Sequence, residues 1–130
     1  MPGSFKVLAA LIALVAAMRP VAAADASANL PAVGSAERGR ALYPACLACH
    51  AVEENELGPR HRGVVGRRAG SVADYNYSPA LRNSGLTWDS GTLDRWLTNP
   101  SELVPGTRMF FKIDDAQSRA DIIAFLAQLK

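Results

Sequence analysis

Two cysteines and a histidine form the segment of this chain best suited to chemistry. They stand together as Cys46-Leu47-Ala48-Cys49-His50, which is the spacing of a c-type haem attachment site. Two thiols one helical turn apart can each bond a haem vinyl group, and the adjacent imidazole can then reach the iron. The pattern predicts one haem c per chain, attached through Cys46 and Cys49, with His50 as an iron ligand.

Two other uses of these residues are less well supported. A redox disulfide between Cys46 and Cys49 is typical of folds with a βαβ setting, and the sequence lacks that pattern. A zinc site needs further thiol or imidazole ligands, and the only histidines are His50 and His61. Haem is therefore favoured over both.

The other face of the iron has three candidates, which are Met109, His61 and no ligand at all. The remaining methionines lie in the predicted export signal, so Met109 is the only one expected in the mature chain. It follows Pro105-Gly106 in a loop that could present its thioether inward, although a lone methionine is more often core packing. His61 stands between two arginines, and this setting predicts a solvent-exposed histidine.

The N-terminus has the three-part layout of a secretory signal. Lys6 precedes an apolar run from Val7 to Met18, and small residues follow from Val21 to Ala24. The run is shorter than the roughly 20 residues that span a bilayer. We expect a cleaved signal peptide over residues 1–24 and a flexible leader over residues 25–34, with an uncleaved anchor as the alternative.

The composition fits one small globular domain, expected over residues 35–130. The chain has 130 residues, 49% of them hydrophobic, and a net charge of +2 from 14 Lys/Arg and 12 Asp/Glu. Because Lys6 and Arg19 belong to the predicted signal, the mature chain has 12 residues of each sign. This balance gives no support to nucleic acid as a partner.

The elements that must position the motif are helices joined by long loops. The sequence predicts an all-α fold of three or four helices, with an irregular glycine-punctuated loop over residues 53–70 and a turn at Pro105-Gly106. Polar residues that can cap a helix precede apolar positions at helical spacing. The predicted helix starts are Ser35, Ser78, Thr87 and Asp114.

Further motifs follow the Cys-His segment in a definite order. They are Gly58-Pro59, Gly63-Val64-Val65-Gly66-Arg67, Gly85-Leu86-Thr87-Trp88, Asn99-Pro100, Pro105-Gly106-Thr107-Arg108-Met109 and Arg119-Ala120-Asp121-Ile122-Ile123-Ala124-Phe125-Leu126. With these motifs the chain resembles class I cytochrome c, the soluble mitochondrial and bacterial type, from Glu37 to Lys130. The resemblance implies a class I cytochrome c fold wrapped around one covalently bound haem.

The resemblance also implies roles for individual residues. His50 is the proximal ligand, Met109 the distal one, and the Pro59 carbonyl holds the other ring nitrogen of His50. Buried propionates need hydrogen-bond donors or positive charges, although plain core packing is the alternative for the aromatic residues. The side chains implied around the propionates or the methionine sulfur are Arg67, Tyr77, Trp88 and Thr107.

Three positions depart from the family pattern. Gly39 stands seven residues before Cys46, where mitochondrial relatives have eight, so the first helix joins the motif differently. Trp96 replaces a tyrosine that donates to the methionine sulfur in many relatives, so that bond lacks its usual donor. Leu81 replaces an asparagine of a buried water network, which predicts a drier pocket with an altered potential.

His/Met ligation raises the potential of haem iron and fills both axial positions, which favours electron transfer over oxygen or peroxide chemistry. We expect a periplasmic, single-haem electron carrier of a respiratory chain and not an enzyme. Its partners would be a cytochrome bc complex or a dehydrogenase as donor and a terminal oxidase or reductase as acceptor. A monomer without stable membrane insertion is expected. The alternatives are a haem peroxidase or gas-binding sensor with a displaceable Met109, and a dedicated subunit of a periplasmic dehydrogenase.

The docking surface is expected to differ from that of the lysine-rich mitochondrial proteins. Lys112 and Lys130 are the only lysines of the predicted mature chain. A basic docking patch made of arginines is one hypothesis, and an ordinary solvated surface is the other. The arginines in question are Arg38, Arg40, Arg60, Arg62, Arg67, Arg68 and Arg108.

Overall fold

The computed structural model describes Met1 and residues 32–130. Residues 32–130 belong to one compact unit, Pro31–Lys130. The predicted signal peptide, apart from Met1, and residues 25–31 of the predicted leader lie outside the described residues. Among the residues described, none of the helices has the length and apolar character needed to cross a membrane.

Helices are the main regular secondary structure of residues 32–130, and long loops join them. The only backbone pairing between strand-like segments in this range is an isolated antiparallel bridge between Arg68 and Thr87. The predicted all-α fold is confirmed. The elements are α1 Ala36–Leu42, a 3-10 helix Tyr43–Ala48, α2 Pro79–Arg82, α3 Ser90–Thr98, α4 Pro100–Leu103 and α5 Ala116–Leu126.

Two of the predicted helix starts are confirmed by capping hydrogen bonds. The Ser35 hydroxyl accepts from the backbone N–H of Arg38 at 3.3 Å, and the Ser78 hydroxyl accepts from that of Leu81 at 3.1 Å. Each bond satisfies an N–H group that has no partner within the first helical turn. Pro79 occupies the first position of α2, where its missing N–H costs nothing.

The other two predicted starts were wrong by one or two residues. Asp89 and not Thr87 caps α3, because Thr87 is held extended in the antiparallel bridge. Asp115 and not Asp114 caps α5, because the Asp115 carboxylate accepts from the backbone N–H of Ser118 at 2.7 Å. The helix α4 was not predicted from the sequence.

The helices α1 and α5 pack against each other at close range. Gly39 is buried in this contact, and a Cβ atom built on it would lie 1.9 Å from the carbonyl oxygen of Asp121 and 2.8 Å from Cβ of Phe125. Only a residue without a side chain permits this approach of the two backbones. Gly39 therefore fixes how closely the N-terminal helix lies on the C-terminal one.

A buried carboxylate holds the same two helices together. Asp121 is 2% exposed and accepts from the Arg38 guanidinium at 2.8 and 2.9 Å and from the Ser35 backbone N–H at 2.7 Å. The Arg38 hydrogen bond, above all, holds the pKa of Asp121 well below its ordinary value. Gln117 bonds both Asp121 and the Val33 carbonyl, so the end of the predicted leader also contacts α5.

The 3-10 helix Tyr43–Ala48 carries the chain from α1 into the Cys-His motif and includes Cys46. Its six residues follow α1 directly and end one residue before Cys49. A 3-10 helix rises about 2.0 Å per residue, against about 1.5 Å for an α-helix. The segment therefore covers more distance per residue, which suits the shorter spacing from Gly39 to Cys46 noted in the sequence.

The predicted turn at Pro105-Gly106 is present. The Thr107 N–H donates to the Val104 carbonyl at 3.0 Å, and Gly106 has a φ of 92°. Proline followed by a residue with positive φ is the pattern of a type II turn. The turn sends the chain back toward the interior two residues before Met109.

Candidate functional site

A cavity of about 390 Å³ lies between the 3-10 helix, α3, α5 and the connecting loops. Its volume falls within the range typical of sites that bind small molecules and cofactors. Leu93, Trp96 and Leu97 of α3 and Ile122 and Leu126 of α5 give it apolar walls. All nine residues singled out from the sequence line it: Cys46, Cys49, His50, Pro59, Arg67, Tyr77, Trp88, Thr107 and Met109.

The Cys-His segment occupies one side of the cavity. Cys46 is half-buried and Cys49 is exposed, and no disulfide joins the two. Nδ1 of His50 lies 2.7 Å from the Pro59 carbonyl oxygen, and because a carbonyl only accepts, Nδ1 carries the proton. Burial lowers the pKa of His50 despite this bond. The imidazole is therefore neutral at pH 7, with Nε2 available to a metal ion.

Gly58 holds the backbone against the His50 ring. A Cβ atom at residue 58 would lie 2.2 Å from Cε1 of His50, and the Gly58 N–H donates to the Cys49 carbonyl at 2.7 Å. Any side chain here would displace the imidazole or break the Pro59 contact. The sequence contained Gly58-Pro59 as a motif, but the close approach that requires glycine is visible only in the structure.

Met109 reaches the cavity with its thioether held by a tryptophan. Its sulfur accepts a hydrogen bond from Nε1 of Trp96 at 3.2 Å, and its backbone N–H donates to the Thr107 hydroxyl at 3.3 Å. The sulfur thus has a donor even though tyrosine is absent from position 96. Indole and phenol each present a donor at the far end of a large flat side chain.

Arg67 brings a positive charge to the cavity. It is half-buried, and its guanidinium donates to the backbone carbonyls of Arg62 at 3.1 Å and Arg60 at 2.9 Å. Burial lowers the pKa of Arg67, but an arginine remains charged near neutral pH. Its remaining N–H groups are available to an acidic ligand.

Tyr77 and Trp88 are buried in the core and also line the cavity. The Tyr77 hydroxyl accepts from the Val72 N–H at 3.4 Å, which leaves its own hydrogen free to donate. The Trp88 ring packs 5.1 Å from that of Trp96. Tyr77 and Trp88 therefore pack in the core and are also in a position to contact a ligand in the cavity.

Leu81, the third departure from the family pattern, is buried in α2 and lines the cavity. Its side chain can neither donate nor accept a hydrogen bond. The cavity wall is therefore apolar at this position.

His61 is not the solvent-exposed residue predicted from the sequence. It is half-buried, and its ring stacks on that of His50 with centroids 4.1 Å apart. Nδ1 of His61 and the Tyr43 hydroxyl form a 2.9 Å hydrogen bond. Burial, with smaller contributions from His50 and Arg67, lowers the pKa of His61 to about 3. The two arginines beside His61 pair with surface carboxylates, whereas His61 turns inward.

This stacking bears on the choice of a second metal ligand. Two imidazoles on opposite sides of one metal ion point their nitrogens toward each other, whereas His50 and His61 lie face to face, 21° from parallel. His61 therefore cannot oppose His50 in this arrangement. Of the three alternatives considered from the sequence, this arrangement excludes His61 and leaves Met109, which lines the same cavity, and an open position.

An all-α fold whose cavity presents two thiols, an imidazole and a thioether is typical of electron carriers with covalently bound haem. Comparison with known proteins agrees. The family model for cytochrome c matches residues 36–130. Cytochrome c2 of Rhodomicrobium vannielii is 47% identical over 105 residues, covering 78% of this chain and 84% of that protein. Cytochrome c2 of Rhodoplanes tepidamans is 41% identical over 96 residues, covering 71% and 90%.

A solved structure is also similar to this chain. Cytochrome cH from Methylobacterium extorquens aligns with a TM-score of 0.70 and 48% identity, covering 72% of this chain and 98% of that one. The chain belongs to the cytochrome c family. It is thus an electron-transfer protein and not an enzyme.

The residues present fit the haem c that the family implies. The two thiols suit covalent attachment, and the neutral imidazole and the thioether suit iron. The apolar walls suit a porphyrin, and Arg67 supplies a positive charge for its acidic groups. No feature of the cavity conflicts with this cofactor.

Proposed function

We propose that this chain is a periplasmic carrier that passes single electrons along a respiratory chain by means of one haem c bound through Cys46 and Cys49. The observation that carries the proposal is that both thiols, the imidazole of His50 and the thioether of Met109 line one cavity. The bound haem supplies a single iron that gains and loses one electron. The protein holds that iron and controls its surroundings.

His50 and Met109 are the two residues that would hold the haem iron. The Pro59 carbonyl fixes the orientation of the imidazole and raises its basicity through the hydrogen bond to Nδ1. The Trp96 indole holds the sulfur of Met109 at a defined place. If His50 and Met109 both bound the iron, neither oxygen nor peroxide would find an open site on it.

Four further side chains are proposed to receive the propionates or to support the methionine. A carboxylate taken out of water needs charge or hydrogen bonds in return. Thr107 also steadies the Met109 backbone through its hydroxyl, which accepts the Met109 N–H and keeps its own hydrogen to donate. These side chains are Arg67, Tyr77, Trp88 and Thr107.

The cellular setting is part of the same proposal. The layout of residues 1–24 supports export through a cleaved signal peptide, and a monomer can move between membrane-bound partners. We propose a cytochrome bc complex or a dehydrogenase as donor and a terminal oxidase or reductase as acceptor. Gel filtration of native extract separates a free carrier from a subunit bound to one dehydrogenase.

Intact mass spectrometry tests attachment and processing together. The full chain is co-expressed with a haem-attachment system, alongside Cys46→Ala, Cys49→Ala and the double variant. We expect one haem mass on a chain that begins at Asp25, and none on the double variant. An unloaded wild-type chain lacking two hydrogens would instead indicate a Cys46–Cys49 disulfide and contradict the proposal.

A further inference from the structure

The His61 ring covers one face of the His50 imidazole. The centroids of the two rings lie 4.1 Å apart, and the rings are 21° from parallel. Stacked aromatic rings attract each other beyond the effect of the area that they bury. The stacking is therefore a favourable contact between the histidine that would hold the iron and a side chain that does not face the metal.

Two backbone hydrogen bonds hold His61 beside His50. The His61 N–H donates to the Ala51 carbonyl at 3.0 Å, and the Arg62 N–H donates to the Val52 carbonyl at 2.8 Å. Ala51 and Val52 follow His50 directly in the chain, so the two segments are joined side by side. The place of the His61 backbone is therefore tied to that of His50.

Tyr43 fixes the direction of the His61 ring. Its hydroxyl and Nδ1 of His61 form a 2.9 Å hydrogen bond, and the buried Tyr43 ring packs against Phe125 with centroids 4.9 Å apart. Burial of an imidazole costs free energy unless its polar atoms are paired, and an aliphatic side chain would fill the same space without that cost. The hydrogen bond gives the ring a defined orientation, which core packing alone does not require.

The hydrogen bond to Pro59 leaves one motion of the His50 ring unopposed. The Pro59 carbonyl accepts from Nδ1 of His50 at 2.7 Å, but the ring can still tilt about the line that joins these two atoms. A second ring stacked on its face opposes the tilt, because tilting breaks the stacking or drives one ring into the other. Pro59 thus constrains the imidazole at an edge, and His61 constrains it at a face.

We propose that His61 is a positioning residue for His50 and that, held by Tyr43, it sets the tilt of the imidazole at the haem iron. The inference rests on the proposed function, because this tilt matters only if His50 binds iron. Side chains around a ligating histidine orient its ring and tune the metal. A ring locked by its neighbours also rearranges less when an electron arrives or leaves.

Proton NMR of the oxidised holoprotein measures this orientation. The unpaired electron of oxidised haem iron spreads over the porphyrin according to the direction of the ligand planes, so the haem methyl signals report the tilt. We expect His61→Leu to change the positions and order of these signals, because leucine has no ring to stack. Tyr43→Phe should move them in the same direction by less, because the His61 ring remains but loses its hydrogen bond.

Two further variants separate positioning from a general loosening of the core. His61→Phe supplies a flat ring without the hydrogen bond, and it should bring the signals back toward their wild-type positions. Ile123→Val is the control, since Ile123 is buried but lies outside the cavity lining. It should lower Tm and leave the methyl signals in place.

Three results would overturn the proposal. The first is wild-type methyl positions in both His61→Leu and Tyr43→Phe. The second is an equal change in His61→Leu and His61→Phe, which would show that stacking does not set the tilt. The third is an equal change in Ile123→Val, which would show that the signals follow core stability.

The absorption spectrum separates this inference from the proposed function. If the oxidised wild-type protein lacks the red-end band of sulfur-to-iron charge transfer, the proposed function itself fails. If wild type and His61→Leu both show the band while the methyl signals stay unchanged, only the positioning role of His61 fails. Tm is measured for each variant, so that partial unfolding is not mistaken for a change in tilt.

Discussion

Gly39 is the point at which one added methyl group should be felt most strongly by the fold. In Gly39→Ala the new Cβ would start 1.9 Å from the Asp121 carbonyl oxygen and 2.6 Å from its carbonyl carbon. These are backbone atoms within α5, so no side-chain rotation can relieve the overlap. The helices α1 and α5 must move apart, by about 1.5 Å if the oxygen is to reach an ordinary contact of roughly 3.4 Å.

The magnitude follows from two opposing effects. Overpacking a close contact costs about 1–3 kcal/mol, and the rigid backbone neighbour places this case at the upper end. Alanine in a helix regains about 1 kcal/mol relative to glycine. We expect a net loss of about 2 kcal/mol in the free energy of unfolding, or roughly 10 °C in Tm for a domain of this size.

Denaturant unfolding of the holoprotein, followed by circular dichroism, measures this loss. Gly91→Ala is the matched control, since Gly91 is exposed in α3 and a Cβ there would meet only the Asp89 carboxylate, at 3.6 Å. That variant should be as stable as wild type or up to about 1 kcal/mol more stable. If Gly39→Ala proved as stable as Gly91→Ala, the close packing of α1 on α5 would be refuted.

Three further predictions concern the site and the helix contact. Trp96→Phe removes the donor to the Met109 sulfur, and that hydrogen bond draws electron density from the sulfur and so favours reduced iron. Loss of a bond worth roughly 0.5–1 kcal/mol should lower the reduction potential, measured by redox titration, by about 20–40 mV. An unchanged potential would count against this role of Trp96. Gly58→Ala pushes Cβ into the His50 ring, so the absorption spectrum should show partial loss of imidazole ligation, whereas an unaltered spectrum would contradict the close contact. Asp121 has a lowered pKa, so its charge stabilises the fold above about pH 4, its unfolded value, and progressively less below. Asp121→Asn should therefore have a lower free energy of unfolding than wild type at pH 7, and the difference between the two should shrink below pH 4. Unfolding is measured over a series of pH values. A difference that stays constant across the series would argue that the charge of Asp121 is unimportant.

The features that the sequence predicted best are those encoded over short spans. The spacing from Cys46 to His50 and the cap at Ser78 each depend on residues within one helical turn. The choice of Asp89 over Thr87 as the cap of α3 depended instead on the bridge to a distant segment. Local capping preference could not decide between two residues that are both good caps.

The sequence predicted which residues form the site, but it did not predict the contacts between them. The hydrogen bond from Trp96 to Met109 joins α3 to a loop thirteen residues further on, and no local pattern specifies it. The prediction that His61 is exposed was wrong because it relied on the two neighbouring arginines. In this loop, side chains point alternately toward solvent and toward the interior, so the arginines are outside while His61 is inside. The sequence signal that could have located His61 correctly is the nearby Gly58-Pro59 motif, two residues before it. This motif brings the loop against His50.

The ligation of the iron is the central claim, and the oxidised absorption spectrum of the holoprotein tests it most directly. Wild type should show the red-end band of sulfur-to-iron charge transfer, Met109→Leu should lose it, and His61→Leu should keep it. Absence of the band from wild type at neutral pH would contradict the assignment of His50 and Met109 as the axial pair. So would a band that is lost in His61→Leu but kept in Met109→Leu.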